Sequence, residues 1–375
     1  MKKNTASTRT RKRKNTHSIR EMPHWTVGVD VGDQHSVLCV VDVTGEIVEE
    51  GRIRTTPDAF ERRFSGMDKS RVVIETGCHA RWIEETLVTA GHEVVVANAR
   101  SLYAISKSPR KNDENDAQLL ARLGRADPTL LDPVQHRSAA AQQGLTLVRS
   151  RDALVRARTA LVNCVRGIVK SVGARLPSCD PDDFPLHADK LPAGVADALK
   201  PLMAQIDHLN KAIAEQSKTI AKEMDTIAPG ARNLTTIPGV GPLTAVTFAL
   251  TIDDPKRFPT SRTVGAYLGL VPRQYKSGES NPELGISKAG STQMRRLLVQ
   301  CAHVLMTTSK SDCDLREWGT KLAGTSKGNK RRAVVGVARK LAVLMHKMLV
   351  TGKPFDPRYN TKRKESQQKA PALAA

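Results

Sequence analysis

The sequence predicts an α/β domain at the N-terminus, a long helical middle region and a mainly helical C-terminal region. Three observations predict this order. Strand-like runs rich in Val and Ile alternate with helical stretches over 25–124, apolar residues recur every seven positions from 147, and helical segments broken by Gly and Pro follow 230. The 375 residues are enough for two or three domains of about 100–200 residues each.

The N-terminal elements follow the order βββαβαβα, which is that of the RNase H type of α/β fold. Three strands at hairpin spacing come first, with turn residues Thr44 and Gly45 before the third. The predicted strands are 25–31, 36–43, 46–53, 71–75 and 93–97. The predicted helices lie near 57–66, at 81–90 and, after the strand at 93–97, onward to about 124. The sequence therefore predicts an α/β RNase H-like N-terminal domain.

The middle region carries two helical repeats. Leu-Val or Ile-Val pairs begin at Leu147, Leu154, Leu161 and Ile168, and a second apolar series runs from Leu199 to Ile220 in steps of three and four. Gly173 and four prolines from 177 to 192 separate the two, while Pro201 either kinks the second helix or marks its first turn. We expect an α-helical coiled-coil middle that joins copies of the chain into a dimer or tetramer. The alternative is a helical hairpin within one subunit.

Charge and composition point to a polyanionic partner. Lys and Arg total 59 against 38 Asp and Glu, a net charge of +21, while hydrophobic residues still make up 39%. Residues 1–22 hold eight Lys or Arg and one acid, so we expect a disordered basic arm, and a basic tail from 357. No apolar run reaches about 18 residues and no signal peptide opens the chain, so we expect a cytoplasmic protein without membrane contact. Six scattered cysteines suggest reduced thiols, mostly in cores.

Four carboxylates occupy positions where strands end or a helix begins. Asp30 ends the first strand before Gly32, Glu75 ends the next central strand, and Asp113 and Asp116 share one face at a helix start. Clustered carboxylates repel one another, and divalent cations with oxygen ligands relieve that repulsion. As a set they predict a metal site, although Asp113 alone could serve as an N-cap. Two further acids nearby are weaker candidates: Asp33 and Glu114.

A second group of candidates lies beyond residue 237. Gly239 and Gly241 form a turn between helices whose backbone amides can approach a phosphate, or which simply packs two core helices. Ser277 follows within a basic, glycine-containing loop, so it is a candidate phosphodiester nucleophile or an ordinary loop serine. The cationic residues around it are candidates for nucleic-acid binding: Arg273, Lys276, Lys288, Arg295 and Arg296.

The chain resembles the DEDD transposases of the insertion sequence 110 family, the bridge-RNA-guided recombinases. Seven motifs carry the resemblance, in family order over about 25–310: VGVDV with Asp30, IETG with Glu75, KNDENDAQLLA with Asp113 and Asp116, IPGVGPLTA, YLGLVP, KSG and ISKAG. The resemblance implies a RuvC-like DEDD catalytic domain (23–130), a coiled-coil region (137–226) and a C-terminal transposase domain (230–355), between the basic arm (1–22) and the basic tail (357–375). The unusually basic arm is a departure whose role the resemblance does not explain.

The resemblance also implies a mechanism. Asp30, Glu75, Asp113 and Asp116 would hold Mg²⁺ or Mn²⁺ at a scissile phosphate of DNA, and Ser277 would form a covalent phosphoserine. Ser280 and Ser287 are the fallback nucleophiles. A structured noncoding guide RNA would supply sequence specificity by base pairing, which suits the many Lys and Arg and the 3% aromatic content.

Three other functions compete with this one. A RuvC-like nuclease or Holliday-junction resolvase would use the carboxylates without the serine, and a nucleic-acid-binding protein would use neither. The segment DVGDQH (30–35) also resembles the first phosphate motif of actin-like sugar kinases, but the second phosphate motif and the adenosine motif of those enzymes are absent from the sequence.

Overall fold

The computed structural model describes residues 24–99, 112–275, 277, 278, 280, 282, 284–309 and 311–362. Its internal contacts divide the chain into two compact units. Along the sequence, the boundary between them falls between His136 and Arg137. The predicted basic arm, 1–22, lies outside the described residues. Among those that are described, no helix combines the length and the apolar character needed to cross a membrane.

The first unit is built on a five-stranded sheet. Its strands are β1 (Thr26–Val31), β2 (His35–Val41), β3 (Ile47–Arg54), β4 (Arg71–Glu75) and β5 (Glu93–Ala97). They are arranged in the order β3-β2-β1-β4-β5. The two hairpin pairs are antiparallel, whereas β1 pairs with β4 and β4 with β5 in parallel. This strand order is the one expected for the predicted RNase H-like domain.

Helices cover both faces of the sheet. Helices α1 (Pro57–Phe64) and α2 (Ala80–Thr89) pack on one face, where Phe60, Phe64 and Ile83 are fully buried against the valines of β1 and β4. Helix α3 (Asp113–Ala126) packs on the other face. The result is a three-layer unit in which α3, joined by Leu131 of a 3-10 helix at Pro128–Leu131, faces the side chains of the second sheet surface.

The second unit consists of helices. They are α4 (Ala139–Ser171), α5 (Ala193–Lys222), α6 (Met224–Ile227), α7 (Ala231–Leu234), α8 (Pro242–Ile252), α9 (Val264–Tyr267), α10 (Thr292–Thr307), α11 (Asp314–Ala323) and α12 (Lys327–Thr351). Short 3-10 turns lie between several of them. One large core joins α8, α10 and α12, with Phe248, Leu298 and Met345 at or below 1% exposure.

Helices α4 and α5 are the two repeats of the middle region, and they pack against each other within one chain. Val162, Val165 and Val169 of α4 meet Leu199 and other apolar residues of α5. The first members of the α4 pairs are less covered: Leu147, Leu154 and Leu161 are half-buried and Ile168 is exposed. Pro201 lies inside α5, which begins at Ala193, so it does not mark the first turn.

The chain stays folded past the predicted start of the tail. The guanidinium of Arg358 pairs with Asp312 and with Glu317, and the backbone amides of Asn360 and Thr361 donate to Asp314 at 2.7 and 3.2 Å. The expectation of a disordered tail from 357 is therefore wrong for residues 357–362, because these ion pairs and hydrogen bonds tie them to α11. Residues 363–375 lie outside the described part.

The six cysteines are free thiols. Cys39, Cys301 and Cys313 are buried, as expected of core residues, whereas Cys78 and Cys164 are exposed and Cys179 is half-buried. Core packing therefore accounts for half of them.

Candidate active site

Asp30 ends β1 on the face of the sheet that α3 covers. Its partner across the antiparallel pair is Val37, which packs against Ala117 of α3. Residues opposite each other in a sheet point to the same side, and side chains alternate along a strand. Asp30 therefore shares the side of Gly28, which itself touches α3. Its side chain is half-buried.

Glu75 ends the neighbouring parallel strand on the same face. It pairs with Ala97 of β5, and Ala97 packs with Val73 and with Leu120 of α3. Since Val29 of β1 is in register with Ile74 of β4, the next residue of each strand brings Asp30 and Glu75 side by side at the carboxyl edge of the sheet.

Helix α3 runs antiparallel to β1. A Cβ on Gly28 would lie 2.1 Å from the carbonyl oxygen of Ala117, whereas one on Gly124 would lie 2.3 Å from Val73 and 3.5 Å from Thr26 at the beginning of β1. Residues later in α3 therefore lie beside residues earlier in β1. The first turn of α3 consequently lies at the edge where β1 and β4 end.

Asp113 and Asp116 occupy that first turn. The N-cap is Asn112, whose side chain accepts a hydrogen bond from the first turn at 2.8 Å, so Asp113 is not the cap. Asp113 stands one turn before Ala117, about 6 Å along the helix, and Asp30 stands two residues beyond Gly28, about 6.6 Å along the strand. Asp116 stands one turn before Leu120, on the β4 side. The helix thus presents its two carboxylates on the face and at the edge that hold Asp30 and Glu75.

These four side chains have the chemistry of a site for a hard divalent cation. All the donors are carboxylate oxygens, which Mg²⁺ and Mn²⁺ prefer. Asp113 is exposed and the other three are half-buried, so solvent reaches the edge. Over the described part of the chain, no three acidic, His or Cys side chains are gathered closely enough to hold a metal already. The placement fits a metal, and binding one requires the carboxylates to draw together.

His79 also lies at this edge, although it is not among the site residues predicted from the sequence. Trp82 Nε1 donates to His79 Nδ1 at 3.2 Å, and His79 Nε2 lies 3.6 Å from Asp33 Oδ1. The indole N–H is only a donor, so Nδ1 accepts here and Nε2 is the nitrogen that faces Asp33. This contact joins the turns that follow Asp30 and Glu75. The available signal was a histidine four residues after Glu75.

Ser277 lies at the end of a hairpin in the second unit. The hairpin is closed at its base by a bridge between Pro272 and Ile286, with Arg273 N donating to Gly285 O at 3.0 Å. Ser277 and Ser280 exchange backbone hydrogen bonds of 3.2 and 3.0 Å at its tip. Both serines are exposed, so either hydroxyl is accessible to a substrate.

The third candidate serine is placed differently. Ser287 is half-buried at the base of the hairpin, where its amide donates to Val271 O at 2.8 Å. Its hydroxyl oxygen lies 3.5 Å from the amide of Ala289. This position favours Ser277 and Ser280 over Ser287 as nucleophile candidates.

The cationic candidates divide into two kinds. Arg273 and Lys288 are exposed, and Lys288 has a left-handed backbone with φ of 56°. Arg296 is half-exposed and paired with Asp152. Lys276 lies outside the described residues. These exposed groups remain candidates for contacts with phosphate.

Arg295 is a different case, because its side chain points into the protein. It is 9% exposed, and its Nη1 donates to the carbonyl oxygens of Gly290 at 3.1 Å, of Ala289 and, more weakly, of Leu268 at 3.4 Å. The prediction that Arg295 contacts nucleic acid is therefore wrong, because its donors join the YLGLVP and ISKAG segments at the base of the serine hairpin.

The glycine turn also has two parts. Gly239 has φ of 84°, and a Cβ there would lie 3.1 Å from the carbonyl oxygen of Cys301 in α10. Gly241 is the N-cap of α8, and a Cβ there would meet nothing within 4 Å. Gly239 is thus required for packing against α10, whereas the space beside Gly241 is open to a ligand.

Two family models match the chain. One, a transposase model of the DEDD, IS110 type, matches residues 27–173, and another, described as the transposase IS116/IS110/IS902 family, matches residues 231–315. The first match contains Asp30, Glu75, Asp113 and Asp116. The second contains the glycine turn and Ser277.

Curated relatives are similar over most of their length. The transposase for insertion sequence element IS1111A of Coxiella burnetii is 28% identical over 86% of this chain and 89% of the relative. The transposase for insertion sequence element IS1328 of Yersinia enterocolitica is 31% identical over 63% of this chain and 70% of the relative. Among solved structures, Thermus thermophilus RuvC aligns with 28% of this chain and 96% of its own at 14% identity, with a TM-score of 0.22. At that score the likeness carries no weight, so the fold class rests on the strand order.

Proposed function

The chain belongs to the IS110 family of insertion-sequence transposases, and from that premise we propose that it cuts and rejoins DNA through a serine nucleophile and a divalent metal. It is a DNA transposase, as its relatives are. The observation that carries the proposal is the shared face and edge of Asp30, Glu75 and the first turn of α3.

In this proposal the four carboxylates hold the metal at the scissile phosphate. Asp30 and Glu75 contribute from the sheet and Asp113 and Asp116 from the helix. A divalent metal bound there would neutralise charge that develops on the phosphate. Membership of a DEDD family implies dependence on a divalent metal, and the all-oxygen donor set favours Mg²⁺ or Mn²⁺.

Ser277 supplies the nucleophile. Its hydroxyl oxygen forms a bond to phosphorus while the bond to the 3′ oxygen of the strand breaks, and that oxygen leaves as a hydroxyl after taking up a proton. The serine proton passes to solvent or to a nearby base. Rejoining reverses these steps with a different 3′ hydroxyl, so no ATP is consumed. Exposure of Ser277 at the tip of its hairpin supports this role.

We further propose that a structured noncoding RNA guides the enzyme. The net charge of +21 gives the protein an affinity for phosphate backbones, and an aromatic content of 3% offers few platforms for stacking on bases. Base pairing with a guide would supply the sequence specificity that such a surface lacks. Sequencing the RNA that copurifies with the protein tests this directly.

The half-buried leucines of α4 support assembly into a dimer or tetramer. Leu147, Leu154 and Leu161 repeat every seven residues and remain half-buried, although Leu147 and Leu161 also pack against cores of their own chain. The leucine surface that is left open suits a second copy of the helix. The mass in solution, measured by light scattering for wild type and Leu154→Lys, tests this: the variant should shift toward the monomer.

Covalent trapping tests the serine chemistry. The protein is incubated with labelled substrate DNA and its divalent metal, and denatured adducts are digested to locate the modified residue. Wild type should give a phosphoserine adduct that Ser277→Ala abolishes and Ser280→Ala retains.

Each alternative gives a different result. A nuclease or resolvase without serine chemistry would cleave equally well in wild type and Ser277→Ala and trap no adduct. A binding protein without catalytic activity would neither cleave nor form an adduct.

A further inference from the structure

A groove of about 660 Å³ in the second unit is lined mainly by α4 and α10, with Leu243 of α8 completing the lining. Its two walls are successive turns of these helices, and its lining contains three arginines, which are Arg151 and Arg156 of α4 and Arg296 of α10. We call it the arginine groove. Of the candidate site residues named above, the groove contains Arg296.

Positive charge in the arginine groove is only partly compensated. Asp152 is the single acidic residue in the lining, and its side chain is 14% exposed. It pairs with Arg296 through Oδ1 and lies 3.5 Å from Arg156 Nε through Oδ2. One carboxylate therefore serves two guanidinium groups and leaves part of their positive charge uncompensated.

Arg151 adds a third charge with no carboxylate of its own in the lining. Its Nε donates to Ser217 Oγ at 2.7 Å, which fixes the side chain against α5. Burial, and then the positive charge of Arg158, lower the pKa of Arg151. Arginine nevertheless stays protonated in proteins. The carboxylates of Asp152 and Asp182 offset only part of this effect, so an anion in the groove would further stabilise the half-buried guanidinium.

The rest of the lining mixes neutral polar residues with apolar ones, which are Val155, Ala160, Leu243 and Leu297. Thr159, Asn163 and Gln300 place neutral hydrogen-bonding groups beside the arginines, and the lining contains no aromatic side chain on which a base could stack. The side chains of Arg156 and Arg296 are 69% and 51% exposed. Both groups therefore keep donors that a phosphate can reach, and one guanidinium can contact a phosphate through two donors at once.

We propose that the arginine groove binds the phosphate backbone of the DNA substrate. The inference rests on the action of a transposase on DNA, but not on the metal or the serine chemistry. Contacts of this kind position a duplex and carry no sequence information. The groove therefore contributes to affinity and register, while specificity comes from elsewhere.

The test measures binding without catalysis. The full-length chain is titrated with a labelled DNA duplex in EDTA over a series of salt concentrations, for wild type and for Arg156→Gln/Arg296→Gln. We expect the double variant to bind at least about tenfold more weakly at low salt and to lose about 1.8 from the slope of log K against log salt, since each phosphate contact contributes about 0.9. EDTA removes any dependence on the metal, so failure of the proposed chemistry would leave this result unchanged.

Two controls separate phosphate contact from loss of structure. Arg149→Gln removes the same charge from an exposed position of α4 outside the groove, and it should leave the slope unchanged. Asp152→Asn breaks the same ion pairs without removing an arginine, and it should bind DNA as tightly as wild type or more tightly. Weaker binding by Asp152→Asn, equal effects of Arg149→Gln and the double variant, or loss of affinity for a structured RNA but not for DNA would each overturn the proposal.

Discussion

Gly28 of β1 and Ala117 of α3 are in direct backbone contact, so close that a Cβ on Gly28 would lie 2.1 Å from the Ala117 carbonyl oxygen and 2.4 Å from the amide of Ala121. No other residue type fits between strand and helix without a shift of backbone. This contact fixes the position of α3 along β1. The position of Asp113 and Asp116 relative to Asp30 therefore depends on a glycine that has no part in the chemistry.

Substituting Gly28 tests this dependence. Gly28→Ala should push α3 away from the sheet, cost about 1–3 kcal/mol of unfolding free energy and reduce DNA cleavage more than DNA binding. Thermal melting and cleavage assays measure the two effects. Gly51→Ala in β3 is the matched control, because a Cβ there meets nothing within 4 Å. If both variants cleave like wild type, α3 does not position the site.

Arg295 should behave as a structural residue. Arg295→Gln leaves several carbonyl oxygens at the base of the serine hairpin without their donor, at a cost of about 1–3 kcal/mol. We expect a lower Tm and loss of the covalent adduct, with the salt dependence of DNA binding unchanged. Arg273→Gln, in the same hairpin but exposed, should keep its Tm and reduce the salt slope. The reverse pattern would restore Arg295 as a phosphate contact.

His346 should make the stability of the second unit depend on pH. It is 1% exposed, with Nε2 3.0 Å from Pro255 O and Nδ1 2.9 Å from Ser261 Oγ, and burial lowers its pKa in the folded state. As pH falls below about 6.5 the unfolded chain gains the proton first. The contribution of the neutral histidine to the free energy of unfolding is therefore complete above that pH. It is lost as the pH falls toward the pKa of the folded state.

Melting curves between about pH 7.5 and pH 5.5 measure the effect. Wild type should lose Tm more steeply on acidification than His346→Gln. His303→Gln, which removes an exposed histidine of α10, should keep the wild-type slope. Parallel curves for wild type and His346→Gln would show that His346 does not titrate on unfolding.

The sheet could be predicted from sequence because each strand has a recognisable residue pattern within its own segment. Alternating and continuous runs of Val and Ile define β1 to β5 to within about two residues. The helices depend more on distant contacts. Helix α4 begins at Ala139, before the heptad repeat that starts at Leu147, because Asp253 accepts hydrogen bonds from the Ser138 amide at 2.6 Å and hydroxyl at 2.8 Å. Nothing near Ser138 in the sequence reveals that partner.

The candidate site was predictable where residue type and element boundary coincide. Asp30 and Glu75 stand at strand ends, and a topology that makes those strands neighbours brings them together. Arg295 shows the limit, because an arginine in a basic loop is usually exposed and its carbonyl partners lie in a separate segment. His79 was overlooked for a similar reason, since its contact with Asp33 joins two turns far apart in sequence.

The central claim is that Asp30, Glu75, Asp113 and Asp116 act together on DNA with a divalent metal. The most direct test compares strand cleavage by wild type, Asp30→Asn, Asp116→Asn and the neighbouring control Glu114→Gln at matched salt and Mg²⁺, with DNA affinity measured alongside in EDTA. We expect Asp30→Asn and Asp116→Asn to lose cleavage while binding DNA as tightly as wild type or more tightly, and Glu114→Gln to retain both. Undiminished cleavage by either aspartate variant would contradict the account.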